Sequence, residues 1–299
     1  MPELPDVTVY VERIDALARG QPLEKVRIAS PFLVRTFDPS VEAVEGATLI
    51  TVRRLGKQIV LGFDNDLFLA IHLMIAGRLH WKESGARIPG KIGLAAFDFP
   101  VGTLTLTEAS TKKRAAIHVV RGSDGLTQLE RSGLEPLEAS LSEFRDALLA
   151  ESHTVKRSLT DPDLFSGIGN AYSDEILHRA RLSPIRLTGK LTDEEIERLF
   201  DATRGTLQLW LERLRAEAGE GLPEKVTAFR TEMAVHGRYG KPCPDCGAPV
   251  QRIAYAGNEC NYCARCQTDG KLLADRGLSR LLKGDWPKTL DELEARRKQ

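Results

Sequence analysis

Gly240-Lys-Pro-Cys-Pro-Asp-Cys-Gly247 and Asn261-Tyr-Cys-Ala-Arg-Cys-Gln267 are the two stretches that decide the fold of the C-terminal region. Each contains a Cys-x-x-Cys knuckle, and sixteen residues separate the two knuckles. This spacing is typical of zinc sites, because each knuckle presents two thiolates to one ion. Four thiolates complete a tetrahedron and leave no open position for catalysis. We therefore expect one structural Zn²⁺, held by Cys243, Cys246, Cys263 and Cys266.

The fifth cysteine, Cys260, lies just before the second knuckle. It could replace a ligand, but the Cys-x-x-Cys that it forms with Cys263 overlaps the second knuckle, so we expect it to be a bystander. Disulfides are disfavoured by the spacing of the cysteines and by the reducing conditions of the cytoplasm, the compartment expected below. The N-terminus has no apolar secretion signal, and no apolar run approaches the roughly 20 residues of a membrane span. We expect a bacterial-type cytoplasmic protein, associated with the nucleoid and without membrane contact.

Composition sets only wide limits on function. The chain has 299 residues, with 42% hydrophobic and 28% charged residues and a formal net charge of zero. These values are typical of a globular protein with two or three folded units. Zero net charge argues weakly against nucleic-acid binding, but such binding depends on one basic face rather than on the sum.

The region before the knuckles has helical periodicity. We predict helices at 141–150, 154–160, 171–180 and 193–218, with Thr192 and Glu195 forming a capping box. The segment GIGNAYSDE, residues 167–175, separates two of them. Gly169 would let backbone N–H groups approach a phosphate, and Asn170 could cap the helix or donate to a phosphate oxygen. The alternative is an ordinary turn between helices, and this segment alone does not decide between the two.

Short β-rich segments fill the N-terminal part of the chain, after a predicted helix at about 7–19. This pattern favours a β-sandwich with a leading helix packed against it. The predicted strands are 23–30, 33–37, 47–55, 58–63, 67–73, 77–82, 95–99, 104–108 and 117–121.

The chain begins Met1-Pro2-Glu3-Leu4-Pro5. If Met1 is removed, Pro2 becomes a terminal secondary amine with a reference pKa of roughly 7.7–8.0, so part of it is nucleophilic at neutral pH. Such an amine can form an iminium with a sugar aldehyde carbon, and Glu3 beside it can move protons. Alternatively, the prolines only shape an extended lead into a helix.

Together these motifs resemble the formamidopyrimidine-DNA glycosylase and endonuclease VIII family of DNA repair enzymes. The resemblance extends from Met1 to about Gln267, and Leu4 is closer to the formamidopyrimidine branch. The similar segments, in chain order, are MPELP, RRLGK with Lys57, IHLMIAG around His72, GIGNAYSDE, HGRYGKPCPDCG and NYCARCQ.

The resemblance implies a multidomain protein. We expect an N-terminal catalytic β-sandwich domain at 1–138 and a helix-two-turn-helix domain at 139–236. A zinc finger with four cysteine ligands would follow at 237–268, and a C-terminal tail at 269–299.

The resemblance also implies a monomeric bifunctional DNA glycosylase and AP lyase that acts on damaged double-stranded DNA. Pro2 would attack C1′ of a flipped-out nucleotide, Glu3 would transfer protons, and Lys57 would bind the flanking phosphate. Lys156 and Asn170 match family positions near the lesion phosphates.

Several positions depart from the family pattern. Asp6 stands where the family usually has Glu, which puts its contact near the site in doubt, and Asn258 replaces an Arg credited with δ-elimination. Ile75 replaces the Met that fills the hole left by the flipped nucleotide. The family's Asp-Pro-Arg-Arg-Phe-Gly stretch is absent here, so basic residues are expected to contact the opposite strand. These are Lys112, Lys113 and Arg114.

Two other functional classes stay open at this point. The chain could be a catalytically weak, zinc-dependent module that binds damaged DNA, or a zinc-ribbon protein that binds structured RNA. The preferred damaged base also stays open, because the segment 219–236 is shorter than the family's usual loop over an oxidised guanine. An oxidised pyrimidine, a ring-opened purine or a bare abasic site is equally compatible with the sequence.

Overall fold

The computed structural model of the protein describes residues 1–223, 226, 229–255 and 258–297. Its contacts group the chain into two compact units. The first combines Met1–Arg131 with Leu209–Thr227, and the second combines Ser132–Gln208 with Ala228–Gln299. The four-part division expected from the sequence stays a prediction.

The first unit contains a leading helix and two four-stranded antiparallel sheets, as the sequence predicts. Their strand orders are β1-β6-β7-β5 and β2-β3-β4-β8. The predicted β-sandwich with a leading helix is confirmed. Its helices are α1 (Leu4–Ala18) and α2 (Gly122–Thr127), and its strands are β1 (Lys25–Ile28), β2 (Leu49–Leu55), β3 (Gln58–Phe63), β4 (Leu67–His72), β5 (Gly77–Lys82), β6 (Gly93–Phe99), β7 (Gly102–Glu108) and β8 (Ala116–Arg121).

One apolar core holds α1 and the sheets together. Val7, Tyr10 and Ile14 recur at helical spacing on α1 and are fully buried. They belong to the same cluster as Phe97 on β6 and Leu61 on β3. Burying such side chains contributes roughly 1.5–3 kcal/mol each, so the leading helix is part of the domain.

The predicted strand at 33–37 is wrong. A 3₁₀ turn occupies Pro31–Leu33, and only Val34 then pairs with Ile117 as an isolated parallel bridge. The Thr36 hydroxyl accepts a hydrogen bond from Val119 N at 2.8 Å. A side chain therefore satisfies an edge amide of β8 that a strand would otherwise satisfy.

The second unit is helical and ends in a small hairpin followed by a tail. Thr192 caps α6 as predicted: its hydroxyl accepts from Glu195 N at 3.2 Å, and the Glu195 carboxylate accepts from Thr192 N at 3.0 Å. The elements are α3 (Leu141–Leu149), α4 (Val155–Thr160), α5 (Asn170–Arg179), α6 (Asp193–Ala218), β9 (Gln251–Tyr255), β10 (Asn258–Tyr262), α7 (Ala264–Gln267), α8 (Arg276–Leu282) and α9 (Leu290–Arg297). The part of α6 from Leu209 onward is grouped with the first unit.

The segment after Gln267 is folded onto the knuckle region. Lys271 and Thr289 form an antiparallel bridge, and Leu290 N donates to Gly270 O at 2.8 Å. The Leu290 side chain is 2% exposed and belongs to the apolar cluster around Cys243 and Cys263. The tail that contains α8 and α9 therefore completes the apolar core around the two Cys-x-x-Cys knuckles, the region called the finger below.

Among the described residues, no helix combines the length and the apolar character needed to cross a bilayer.

Candidate functional site

The N-terminal candidate residues lie at the start of α1. Glu3 is the N-cap of this helix and forms a capping box with Asp6, whose carboxylate accepts from Glu3 N at 3.0 Å. Pro2 is buried, and Glu3 is 2% exposed. The shorter Asp6 thus still reaches the backbone of the candidate proton-transfer residue and holds it at the helix N-terminus.

Lys57 lies in the tight turn between β2 and β3, where Gly56 adopts φ 60°. Burial lowers the pKa of Lys57, and the nearby Glu3 carboxylate opposes this shift. Burial also lowers the pKa of the Met1 amino group, with Glu3 opposing the shift and Arg78 adding to it. The first unit thus brings Glu3, Lys57 and the amino group of Met1, the residue before Pro2, within electrostatic range of one another.

His72 lies at the end of β4, beside this turn. Its Nδ1 accepts from Met74 N at 2.9 Å, which leaves the proton of the neutral ring on Nε2. Burial, then the Lys57 ammonium, then His118 lower the pKa of His72 to about 4. At neutral pH this side chain is therefore a neutral hydrogen-bond donor rather than a cation.

Glu108 organises the loop that carries the three expected basic contacts. Its buried carboxylate accepts from Arg114 N at 2.8 Å and from Ala115 N at 3.0 Å. The Lys113 ammonium donates to the Glu108 carbonyl oxygen. Lys112, Lys113 and Arg114 are exposed, so the structure presents them on a loop that is fixed at its base.

The glycine-rich turn opens α5 in the second unit. Gly169, not Asn170, is the N-cap, and Gly167 adopts φ 77° in the turn before it. The Asn170 side-chain amide donates to the Glu259 carbonyl oxygen on β10 at 2.9 Å. This turn therefore leads into the N-terminus of α5, and through Asn170 it also anchors the β9–β10 hairpin.

Lys156 is buried on α4. Its ammonium donates to Asp174 Oδ1 at 2.6 Å, to Ser173 Oγ at 2.8 Å and to Asn170 O at 3.1 Å. The lysine thereby supports the glycine-rich turn from behind. Its predicted role next to a phosphate stays a prediction.

The acidic pair at the end of GIGNAYSDE is a feature that the sequence reasoning missed. Asp174 Oδ2 accepts from His236 Nδ1 at 2.7 Å and from Asn261 N at 3.1 Å. Burial alone would raise the pKa of Asp174, but Lys156 and His236 outweigh it and lower this pKa. Glu175 accepts three backbone N–H groups, those of residues 234–236. The sequence did contain a signal for this network, because Asp174 and Glu175 follow the glycine-rich turn within the GIGNAYSDE motif.

The four predicted metal ligands converge. All four Sγ atoms lie within 4.8 Å of one another; the Cys243–Cys266 distance is 3.9 Å and the Cys246–Cys263 distance is 3.4 Å. Zn–S bonds of about 2.3 Å require S···S separations of about 3.8 Å in a tetrahedron. The four cysteines can therefore hold one metal ion.

A histidine that the sequence reasoning did not single out contacts this centre. His178 Nε2 lies 3.3 Å from Cys243 Sγ, and the ring is buried on α5. A neutral imidazole can donate to a coordinated thiolate from this position. Cys260 lies outside the cluster, in a separate apolar group with Ile253 and Tyr262, and burial raises the pKa of its thiol. Asn258 begins β10, and the structure describes its backbone but not its side chain.

Family comparisons cover most of the chain. The Formamidopyrimidine-DNA glycosylase N-terminal domain matches residues 1–117, and the Formamidopyrimidine-DNA glycosylase H2TH domain matches residues 133–218. The formamidopyrimidine-DNA glycosylase of Heliobacterium modesticaldum is 32% identical over 287 residues, with 89% of this chain and 100% of the relative covered.

Solved structures of proteins from the same family are also similar to this chain. Lactococcus lactis Fpg in complex with an abasic site containing DNA superposes with a TM-score of 0.79 at 25% identity, covering 89% of this chain and 99% of the other. The MutM (Fpg) protein of Thermus thermophilus superposes with a TM-score of 0.74 at 31% identity, covering 89% and 98%. The chain described above therefore belongs to the formamidopyrimidine-DNA glycosylase family.

Proposed function

We propose that this protein is a bifunctional DNA glycosylase and AP lyase of base excision repair, with Pro2 as the nucleophile after removal of Met1. The observation that carries this proposal is the buried start of α1, where Glu3 is fixed by Asp6 within electrostatic range of Lys57. Damaged double-stranded DNA is the substrate, as the family and the abasic-site complex of its relative support.

The chemistry begins when the damaged nucleotide leaves the base stack. The Pro2 nitrogen attacks C1′ and loses its proton, while the N-glycosidic bond breaks and its electron pair leaves with the base, which takes up a proton. The C1′–O4′ bond then breaks, O4′ takes the electron pair and a proton, and the Pro2 nitrogen lone pair forms the iminium at C1′. Glu3 is the group placed to exchange protons with the sugar and the base, because its backbone is fixed beside Pro2.

The iminium then makes the C2′ hydrogen acidic. A base removes this proton, the C3′–O bond breaks, and the 3′ phosphate leaves with the electron pair. Water finally hydrolyses the iminium and restores the Pro2 amine. We assign to Lys57 the binding of the flanking phosphate, where an ammonium favours the dianionic leaving group.

The metal centre has a structural role in this proposal. Zn²⁺ is the ion that four converging thiolates favour, and it would hold the finger folded. Through the Asn170–Glu259 contact the finger hairpin would stand beside the glycine-rich turn, and both would position the DNA backbone.

Borohydride trapping on abasic duplex DNA tests the nucleophile. We expect wild-type protein to form a covalent adduct whose peptide map places the link at residue 2. Pro2→Gly should lower the trapping rate, while Lys57→Ala should keep the adduct and slow strand cleavage. Wild-type protein that binds the duplex without forming an adduct would support the catalytically weak binding module instead. Preference for structured RNA over damaged duplex would support the RNA-binding class.

A further inference from the structure

A row of hydrogen bonds connects the glycine-rich turn (residues 167–170) through the β9–β10 hairpin, called the finger hairpin here, to the start of α8. The Asn170 amide donates to Glu259 O on β10, and Glu259 is paired with Ala254 on β9. Ala254 N in turn donates to Asp275 Oδ2 at 2.8 Å, and Asp275 directly precedes α8. The row thus runs from the glycine-rich turn across both strands to the start of α8.

The segment of the tail at this end of the row is basic. Residues 276–283 include three basic residues and no acidic residue, whereas the whole chain has zero net charge. Arg280 and Lys283 are exposed on this segment, and Leu281 beside them is 77% exposed. Two acids flank the segment. Asp275 is buried and satisfied by Ala254 N and Gly277 N, so it does not lie on the exposed basic surface. Asp285 is exposed two residues after Lys283 and offsets part of the charge.

We propose that α8 is an additional DNA-binding element, whose Arg280 and Lys283 contact backbone phosphates of the duplex that flanks the lesion. This inference rests on the proposed function, because that function places DNA against the turn and the hairpin. Charge complementarity selects duplex DNA as the occupant of this surface. The row has three hydrogen-bonded steps, and at the roughly 4.8 Å that separates neighbouring strands it is at most about 15 Å long. At about 3.4 Å per base pair, this distance corresponds to about four base pairs of flanking duplex.

Salt-dependent binding to a duplex with a stable abasic-site analogue tests the proposal. We expect the Arg280→Gln/Lys283→Gln double variant to bind more weakly and to lower the slope of log K against log salt by about one to two. The matched control is Lys190→Gln/Lys288→Gln, which removes the same charge from exposed positions of the same unit outside the row. The control should keep the wild-type slope.

A duplex-length series locates the contact. Shortening one flank to about three base pairs should abolish the difference between wild type and the α8 variant, while shortening the other flank should preserve it. The proposal would be overturned by equal slopes for variant and wild type. It would also be overturned by a deficit that persists both when the one flank and when the other flank is shortened. Borohydride trapping at saturating protein separates this result from failure of the proposed function. The α8 variant should reach the wild-type yield, whereas a wild type without adduct would refute the lyase itself.

Discussion

At the scale of single residues, His72 provides a measurable signature of the candidate site. Its pKa of about 4 predicts that the ring stays neutral until the solution is far more acidic than pH 6.5. Because the folded pKa lies below the ordinary value, the stability that the neutral ring contributes is present above about pH 6.5 and is lost as the pH falls towards 4. NMR titration of the ring protons measures the midpoint directly.

The Lys57 ammonium is one physical cause of this low pKa, and its removal tests the geometry. Lys57→Met should raise the midpoint of His72, whereas Lys57→Arg keeps the positive charge and should leave it low. An unchanged midpoint in Lys57→Met would show that the two side chains do not interact.

Asn258 determines our prediction for the second elimination step. Asn carries no charge and cannot replace a guanidinium fork on a phosphate. We expect β-elimination products, with an unsaturated sugar at the 3′ end, to dominate for the wild-type protein. Asn258→Arg should increase the fraction of 3′-phosphate product on a sequencing gel. A wild-type reaction that gives mostly 3′-phosphate would contradict this reading of the position.

At the scale of elements, Asp174 joins α5 to α4, to the finger hairpin and to the segment that carries His236. Asp174→Asn would leave the Lys156 ammonium buried beside a neutral amide, which typically costs about 3–5 kcal/mol. Urea unfolding should reveal this loss. Asp201→Asn, an exposed substitution of the same type on α6, should change the free energy of unfolding by less than about 0.5 kcal/mol.

The pH dependence of the stability that Asp174 contributes follows from the direction of its pKa shift. The pKa of Asp174 is lowered in the folded protein, so its contribution is complete above the ordinary carboxyl pKa and is lost as the pH falls through the lowered value. The Asp174→Asn protein should therefore lose less stability on acidification than wild type. Parallel stability curves for the two proteins would exclude this role.

Elements with local signals were predictable from the sequence, and those set by distant contacts were not. The bounds of α6, β3 and β5 were predicted without error, because apolar periodicity, a capping box and tight turns fix them locally. The segment at 33–37 has the composition of a strand, but the side chain of Thr36 satisfies the neighbouring strand edge. In the site, the cysteine spacing predicted the cluster. The burial of Lys156 and the network of Asp174 depend on tertiary packing that no local pattern encodes.

At the scale of the whole molecule, the tail contributes to the candidate metal centre through Leu290. Leu290→Ala would remove a fully buried side chain from the cluster around Cys243 and Cys263, at a typical cost of about 2–5 kcal/mol. Because metal binding and folding of such a finger are coupled, the ion should be lost faster. A colorimetric chelator measures the release rate.

Leu281→Ala is the matched control for this experiment, because the same truncation is made at a side chain that is 77% exposed. It should release metal at the wild-type rate. Equal release rates for the two variants would mean that the tail does not stabilise the finger.

Because the tail is part of this core, the molecule contains its own optical probe. Trp286 lies four residues before Leu290, and its indole nitrogen is shielded from solvent. The other two tryptophans, Trp81 and Trp210, belong to the first unit. Exciting Trp286 in a variant in which the other two are phenylalanine would give an emission maximum that moves to longer wavelength when the tail detaches. Chelation could then be followed in real time, without a dye and without substrate.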